Sequence, residues 1–364
     1  MKLNEMANKM NEEGREIINL SIGEPQFELE QEIKDALNYS VQISYSGYTN
    51  KQGIEELRKR ILEWHNIERC YDTNNIIVTP GAKYAIYISL MSILNPGDEV
   101  IIIKPYWLSY IDMVLLCGGK PVIIDCNDDF SINWDILNEK INSKTKALII
   151  NNPNNPSGNL YKKDQLVKLY NLCKRHSIYL ISDEIYSTIV FDEFTSIINI
   201  MDKSFTNVIL INGVSKSLAC TGLRIGYIIA HHSLITNILK IHQHIATCAG
   251  SLEQKALSML SKSVYNKISE KHKNIYLKRK KTILENIKQK HCFNNPKGTF
   301  YMLVRITDKY SNSVHASNHL MEKYGIFTVP GAYYGINDYV RISYAVSDLQ
   351  LKKFINLSNN EDLF

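Results

Sequence analysis

One lysine, Lys216, lies between two serines in the segment 212–227, which joins two apolar strand-like runs. Because burial among small and apolar residues disfavours a charged ammonium, such a lysine loses part of its proton affinity. A lysine amine of this kind is a nucleophile that can form a Schiff base with a carbonyl compound. A single lysine is more often a solvated surface charge, so the prediction of amine chemistry needs support from the rest of the chain.

That support comes from residues that follow predicted strands, because ligands of open parallel sheets lie just beyond the carboxyl ends of the strands. Gly81 opens a helix, and free N–H groups at a helix start favour a phosphate. Trp107 could stack on a planar ring, although a core aromatic is the commoner case. Asp183 ends a buried strand, where a carboxylate is costly unless it meets a cation or donor, such as a pyridinium nitrogen. The asparagine-rich string at 151–158 contains more side-chain amides than a turn requires.

The elements that position these residues alternate between strands and helices. Continuous Val, Ile and Leu runs separated by helices predict an α/β fold with a mostly parallel sheet covered on both faces. The predicted strands of this sheet are 76–79, 99–103, 121–125, 147–151, 178–182, 208–211 and 225–230. The predicted helices are 5–18, 30–37, 53–65, 83–93, 108–117 and 163–176, followed by a long helical region at 234–290.

Shorter strands at 17–22, 300–306, 327–329 and 339–344 predict a second, smaller α+β domain. The first 40 residues are too few to fold alone, so we expect them to pack with the C-terminal part. We therefore predict a large domain at 46–285 and a small domain made of 1–45 and 286–364.

Composition narrows the function classes. The chain has 364 residues, of which 45% are hydrophobic and 22% charged, as in a globular protein with a large core. A net charge of +5 gives no case for nucleic acid, and the basic run at 278–281 is typical of a solvated helix face. The histidine pairs lack the spacing of metal ligands, so we predict no metal site.

The compartment is predicted from the cysteines and the N-terminus. Seven cysteines without a Cys-x-x-Cys pair indicate free thiols in a reducing compartment. The N-terminus is charged and amphipathic, unlike a signal peptide. The longest apolar stretch, 76–94, is interrupted by Pro80, Gly81 and Lys83, which argues against a membrane span. We expect a cytoplasmic protein.

Taken together, these groups resemble the class I/II aminotransferases, which are pyridoxal 5′-phosphate enzymes of fold type I. In chain order, the resemblance is carried by Gly81-Ala82-Lys83, Pro105-Tyr106-Trp107, the string at 151–158, Ser182-Asp183-Glu184 with Tyr186, and Ser215-Lys216 with Gly222 and Arg224. It extends to both ends of the chain through Gly23-Glu24-Pro25, Gly47-Tyr48-Thr49 with Gly53 and Glu56-Leu57-Arg58, and the motifs at 296–301, 329–331 and 340–345. The resemblance implies a mostly parallel seven-stranded sheet in the large domain and a small domain formed by both termini.

The resemblance also implies the catalytic roles. Lys216 would hold the cofactor as a Schiff base and, once released, move a proton between the substrate α-carbon and the cofactor. Asp183 would pair with the pyridinium nitrogen. Tyr186 and Asn155 would bond the phenolic oxygen of the ring, and Trp107 would stack on its face.

Binding roles follow from the same resemblance. The cofactor phosphate would be held by Gly81, Ala82, Lys83, Ser215 and Arg224. Tyr48 would reach the phosphate of the partner subunit, which implies a homodimer. Arg341 would clamp the substrate α-carboxylate, with help from the backbone of Gly23 and from Asn155.

Two departures from the family pattern are visible. Gly213 replaces a serine that many relatives have three residues before the lysine, so one phosphate contact is missing and Ser215 is its substitute. The chain also begins later than the pattern, with a helix and an arm fewer before Met6, in a segment that in relatives helps to close the site.

The resemblance predicts ping-pong transamination between an amino acid and a 2-oxo acid, without fixing the substrate side chain. A lyase or a cyclase of amino-acid metabolism stays open as an alternative, because the same lysine, aspartate and arginine serve those reactions. A non-catalytic effector-binding domain of a transcription regulator is disfavoured, because about 20 residues before the first core strand leave no room for a DNA-binding module.

Overall fold

The structure is a computed structural model that describes residues 6, 10, 12–201, 206–361 and 363–364. Of the helix predicted at 5–18, residues 5, 7–9 and 11 lie outside the described residues. Residues 6, 10 and 12 are helical, whereas residues 13–17 are not and residue 18 begins a strand, so the helix ends earlier than predicted.

A seven-stranded sheet forms the centre of the fold. Its strands are β2 (Ile76–Thr79), β3 (Glu99–Ile103), β4 (Lys120–Ile124), β5 (Thr145–Asn151), β6 (Tyr179–Asp183), β7 (Val208–Gly213) and β8 (Gly226–Ala230). The strand order is β2-β8-β7-β6-β5-β3-β4. β8 runs antiparallel to both its neighbours, and the other neighbouring pairs of this sheet are parallel. The predicted mostly parallel seven-stranded sheet is confirmed.

Apolar side chains on both faces explain why this sheet is a middle layer. In β3, Val100 and Ile102 belong to one buried core, whereas Ile101 and Ile103 belong to another. Successive side chains of a strand point to opposite faces, so a continuous apolar run needs a helical layer on each side.

Helices supply both layers. Their bounds are α1 (Gln31–Gln42), α2 (Glu55–His65), α3 (Ala82–Ile93), α4 (Ser109–Leu116), α5 (Trp134–Lys140), α6 (Lys163–His176), α7 (Val214–Ser217), α8 (His232–Ile245), α9 (Ser251–Ser258), α10 (Lys262–Asn286), α11 (Ser313–Tyr324) and α12 (Asp348–Asn360). Within the described residues, no helix has the length and apolar character needed to cross a bilayer.

The structure differs from the predicted helices in two places. The long helical region at 234–290 is three helices, and the last of them begins where Ser261 caps it by accepting a hydrogen bond from the Val264 N–H. Helix α5 was not predicted. It has a single fully buried apolar residue, Leu137, and starts at a cap in which Asn133 accepts from the Ile136 N–H. Seven residues are too few to show a helical period.

The smaller part of the fold joins the two ends of the chain. β9 (Tyr301–Arg305), β11 (Val329–Pro330) and β12 (Tyr339–Ser343) form an antiparallel sheet, and β1 (Ile18–Asn19) pairs with β10 (Ile326–Phe327). The Leu20 N–H donates to the Phe327 carbonyl at 2.9 Å, and the Ser343 N–H donates to the Leu20 carbonyl at 2.8 Å. The N-terminal segment is therefore held by the C-terminal sheet.

The domain boundaries stay a prediction, and the cores cross them. Ile33, from the proposed small domain, packs in a core of the large sheet. Tyr276 and Ile283, from the proposed large domain, pack in the core of the C-terminal sheet. Helix α10 thus joins the two parts, since its Ile268 lies in the large core.

Candidate active site

A cavity of about 730 Å³ lies where the parallel strands end. β5 ends at Asn151, β6 ends at Asp183, and α7, which carries Lys216, follows β7 directly. The cavity is lined by every predicted site residue except Gly81 and Tyr48, namely Gly23, Ala82, Lys83, Trp107, Asn155, Asp183, Tyr186, Ser215, Lys216, Arg224 and Arg341. The fold therefore brings together side chains that are more than 300 positions apart in the sequence.

Lys216 is partly buried, and its Nζ donates to the Gly23 carbonyl at 2.7 Å. Burial lowers the pKa of Lys216 to about 8. The negative charge of Glu24 opposes this change, and the positive charges of Arg341 and Arg224 favour it. A substantial fraction of the amine is thus neutral near neutral pH, as a nucleophile or a base requires.

Asp183 is a buried carboxylate, with 4% of its surface exposed. It accepts hydrogen bonds from the Tyr110 hydroxyl at 2.7 Å and from the Ile185 N–H at 3.2 Å. Burial raises the pKa of Asp183 to about 6 against the effect of these donors. Within the described residues it forms no ion pair, so a cation bound in the cavity would find a ready partner.

The opposite side of the cavity is suited to an anion. Gly81 has φ 91° and precedes the first residue of α3, so the free N–H groups of the helix start face this side. A Cβ on Gly81 would overlap the guanidinium of Arg224. Glycine is therefore what allows that guanidinium to lie over the helix start. Ser215 and Lys83 line the same cavity, so the groups on this side are suited to an anion such as the predicted phosphate.

Arg341 is a buried cation, with 5% of its surface exposed. Its Nη1 donates to Asn155 Oδ1 at 3.3 Å and its Nη2 to the Ser21 carbonyl at 2.9 Å, while its Nε has no partner in the structure. The guanidinium carbon lies 4.2 Å from the Tyr301 ring centroid and 5.4 Å from that of Tyr334. The described residues give this arginine no carboxylate, which leaves it able to bind one from a ligand.

The asparagine-rich string is explained by the contacts of its amides. Asn151 donates to the Asp183 carbonyl at 2.9 Å and accepts from the Asn155 N–H at 2.7 Å, and Asn154 donates to the Pro105 carbonyl at 2.9 Å. These amides join the ends of neighbouring strands. Asn155 differs, because its side chain contacts Arg341 at the cavity.

Three site residues were not singled out from the sequence. Tyr110 holds Asp183. Tyr301 accepts from the Tyr186 hydroxyl at 3.2 Å and donates to the Gly23 carbonyl at 3.1 Å. Thr221 donates to Glu24 Oε2 at 3.1 Å. Tyr301 belongs to the quoted 296–301 motif, which could have found it. Tyr110 and Thr221 carry no comparable signal.

Tyr48 lies apart from the cavity of its own chain and is 90% exposed.

A larger groove, of about 1020 Å³, lies near Lys51, Cys70 and His231. No buried charge without a partner lines that groove, so we assign the chemistry to the smaller cavity. In the described ranges, no three His, Cys, Asp or Glu side chains cluster as metal ligands would.

A lysine amine with a lowered pKa, a buried acid and an anion site at a helix start define a cavity for an aldehyde cofactor that carries a phosphate. The family described as aminotransferase class I and II matches residues 15–356, and the chain belongs to this family. Its members use pyridoxal phosphate. The chain is therefore a pyridoxal-phosphate-dependent aminotransferase, as the sequence predicted.

Three comparisons show how similar the relatives are. The chain is 32% identical to an aspartate aminotransferase of Thermotoga maritima over 95% of this chain and 92% of the relative. The solved Thermus thermophilus aspartate aminotransferase with maleate has a TM-score of 0.93 at 30% identity, covering 100% of this chain and 96% of that chain. An aromatic aminotransferase of Pyrococcus horikoshii has a TM-score of 0.88 at 31% identity, covering 97% and 98%. The predicted fold type I is confirmed, and the comparisons do not favour the lyase or cyclase alternative.

The raised pKa of Asp183 generates a prediction about the cofactor-free protein. The folded state binds the proton of the Asp183 carboxyl group more tightly than the unfolded state does. The stability that this protonated group contributes is therefore present below about pH 4 and is lost as the pH rises through about 6. At about 1.4 kcal/mol per pKa unit, the ionised carboxylate costs about 3 kcal/mol at neutral pH. We expect Asp183→Asn to stabilise the cofactor-free protein by about this amount at pH 7.5 and by little at pH 4.

Urea unfolding at the two pH values measures this difference. Asp125→Asn is the control, because its carboxylate is 68% exposed and pairs with Lys104 at the surface. We expect a change within about 0.5 kcal/mol for the control. Equal stability of wild type and Asp183→Asn at pH 7.5 would contradict the buried, cation-free state of this carboxylate.

Proposed function

We propose that this aminotransferase uses an acidic amino acid as donor and a 2-oxo acid as acceptor, with Lys216 as the group that moves the proton. One observation carries the proposal: a lysine with a lowered pKa, a buried acid without a cation and a buried arginine without a carboxylate line one cavity. Transamination needs an amine that can carry a proton, a partner for a cationic cofactor ring and a partner for the substrate carboxylate. The lysine, the acid and the arginine can fill these three roles in turn.

When bound, pyridoxal phosphate supplies an aldehyde that condenses with amines and a ring that accepts electrons. The residues present fit this group. Asp183 would hold a positive ring nitrogen, Tyr186 and Asn155 would donate to the phenolic oxygen, and Trp107 would cover a ring face. The N–H groups of Gly81 and Ala82, with Ser215 and Arg224, would hold the phosphate.

Lys216 would then act as base and acid in turn. Its Nζ lies between the Gly23 carbonyl and the interior of the cavity, and its pKa of about 8 lets it take and return a proton near neutral pH.

Arg341 would bind the α-carboxylate of the substrate, since it lines the cavity and the described residues give it no carboxylate. A second cation, Lys83, lines the cavity, and its Nζ lies 5.0 Å from the centroid of the Trp107 ring. We propose that Lys83 binds the side-chain carboxylate of an acidic donor. The names of relatives as aspartate aminotransferases and the maleate complex of one of them, a dicarboxylate, support this proposal.

The homodimer is also a proposal, with Tyr48 reaching into the partner's cavity. Tyr48 is 90% exposed, and apolar Tyr39, Val41, Ile43 and Ile245 are exposed as well. Exposed apolar groups of this kind mark protein interfaces. A second copy of the chain would cover them, and Tyr48 would then be buried as a contact to the phosphate.

A cytoplasmic location is proposed on the basis of the cysteines. All seven are free thiols in the structure, three of them buried and three partly buried. Unpaired cysteines are the usual state in reducing compartments.

The role of Lys216 predicts a loss of turnover without a loss of fold. Lys216→Ala removes the proton carrier, so turnover with any donor should fall at least about 100-fold, within the usual contribution of acid–base catalysis. The variant should bind pyridoxal phosphate without the absorbance of a lysine-linked cofactor. Lys278→Ala, at an exposed position of α10, is the control and should match wild type in both measurements. Wild-type turnover by Lys216→Ala would refute the role.

The role of Lys83 predicts a change of substrate preference. Lys83→Gln should lower kcat/KM for L-aspartate about 10- to 100-fold, as the loss of a hydrogen bond to a charged group does, and leave L-asparagine nearly unchanged. Arg341→Gln is the comparison and should lower both, because both donors carry an α-carboxylate. If Lys83→Gln instead weakens cofactor binding and slows both donors equally, Lys83 belongs to the phosphate site.

The role of Tyr48 predicts that two damaged chains restore one another. In mixed dimers of Tyr48→Ala and Lys216→Ala chains, one of the two sites receives both intact residues. Random pairing of equal amounts should therefore regain about one quarter of wild-type activity. Each variant alone is the control. Activity no higher than the sum of the separate variants, or a monomer in sedimentation, would contradict the shared site.

A further inference from the structure

Next to Asp183 in the chain lies a second buried carboxylate, which the chemistry above does not use. Glu184 has no exposed surface and does not line the cavity. Because successive residues of an extended strand point to opposite sides, Asp183 faces the cavity and Glu184 faces the protein interior behind it.

Glu184 is held by three donors. Its Oε1 accepts from the Ser182 hydroxyl at 3.0 Å and from the Ile197 N–H at 2.9 Å, and its Oε2 accepts from the Ser196 hydroxyl at 2.6 Å. Across residues 12–201 and 206–361, no lysine, arginine or histidine forms an ion pair with it. Burial, with a smaller contribution from the neighbouring charge of Asp183, raises the pKa of Glu184 to about 7 against the effect of the donors.

These three contacts join two stretches of chain. Ser182 belongs to β6 itself, whereas Ser196 and Ile197 begin the short helical turn Ile197–Asn199. The backbone at Glu184 is tied as well, since its N–H donates to the Ile211 carbonyl of β7 at 2.8 Å and its carbonyl accepts from the Ser187 N–H at 2.9 Å. The side chain thus fixes the strand end from behind.

The two residues proposed to meet the cofactor ring flank this anchor. Asp183 immediately precedes Glu184, and Tyr186 follows two positions later. The Asp183 side chain is held from its own side by Tyr110 and Ile185. A shift of the backbone at Glu184 would move both Asp183 and Tyr186. Asp183 is the adjacent residue, and only Ile185 lies between Glu184 and Tyr186.

We propose that Glu184 is a positioning residue: its hydrogen-bonded carboxyl group locks the end of β6 so that Asp183 and Tyr186 face the cofactor ring in fixed geometry. The proposal rests on the proposed function of Asp183. Glu184 itself touches neither cofactor nor substrate.

Substitutions separate positioning from simple support of the fold. Glu184→Ala removes all three contacts. Glu184→Gln can keep them, with its oxygen toward the Ile197 N–H and its amide donating to Ser196. Glu99→Ala is the matched control: Glu99 is also a buried carboxylate of the same sheet, held by Lys120 at 3.0 Å and Asn142 at 2.9 Å, but at the amino end of β3. Asp183→Asn is the reference for loss of the ring contact.

The measurements are the affinity of the cofactor-free protein for pyridoxal phosphate by fluorescence titration, kcat and KM for the amino donor, and thermal unfolding without cofactor. For Glu184→Ala we expect about tenfold weaker cofactor binding and about tenfold lower kcat with unchanged KM, as when a supporting group behind a metal ligand is removed. Glu184→Gln should restore both to within about threefold of wild type. Glu99→Ala should lower the unfolding temperature and leave cofactor affinity and kcat unchanged.

The proposal is overturned if Glu184→Ala behaves like Glu99→Ala, or if Glu184→Gln falls as far as Glu184→Ala. Should Glu184→Ala not fold, Ser196→Ala removes one of the three donors and should weaken cofactor binding about two- to fivefold, and no weakening would overturn the proposal. If Asp183→Asn binds the cofactor as tightly as wild type, the function proposed for Asp183 fails. If Asp183→Asn is weakened and Glu184→Ala is not, Glu184 alone is wrongly assigned.

Discussion

Two buried charged groups at the cavity constrain the site, the carboxylate of Asp183 and the guanidinium of Arg341, and neither forms an ion pair with the described residues. Each one costs free energy in the cofactor-free chain, because burial removes water and hydrogen bonds alone hold the charged group. A ring cation and a substrate carboxylate are the partners that would offset those costs. The fold therefore has to be stable enough to hold both charges apart and in place until ligands arrive, and three apolar cores provide that stability.

The two charges come from different parts of the fold, which explains why both ends of the chain are needed. Asp183 lies at the end of β6 in the parallel sheet, whereas Arg341 lies in the middle of β12 in the antiparallel sheet. Tyr301 connects them, since its ring packs on Arg341 and its hydroxyl bonds both Tyr186 and the Gly23 carbonyl. The N-terminal loop at Gly23 therefore lines the cavity, and its attachment to the C-terminal sheet holds it there.

The sequence predicted the seven central strands because buried parallel strands are continuous apolar runs. It predicted most site residues because the motifs of the family resemblance lie at the ends of those strands. Local pattern could not predict α5, whose start depends on one cap at Asn133. Tyr110 was missed for another reason, since a tyrosine on a helix has no signal until the fold places it 2.7 Å from Asp183. The asparagines at 151–158 were recognised, but which amide faces the cavity is decided by tertiary contacts alone.

Selectivity among amino acids has to come from residues other than Arg341, because every α-amino acid presents the same carboxylate to that arginine. The cavity offers a cation and an indole side by side, Lys83 and Trp107, with the ammonium 5.0 Å from the ring centroid. A carboxylate in the substrate side chain would draw the ammonium away from the indole, and an aromatic side chain would pack on the indole instead. Lys83 and Trp107 together thus offer a favourable contact to an acidic substrate side chain and to an aromatic one. The ammonium of Lys83 offers an acidic side chain a charge–charge contact that an aromatic side chain lacks, and this difference is the physical basis for proposing an acidic donor.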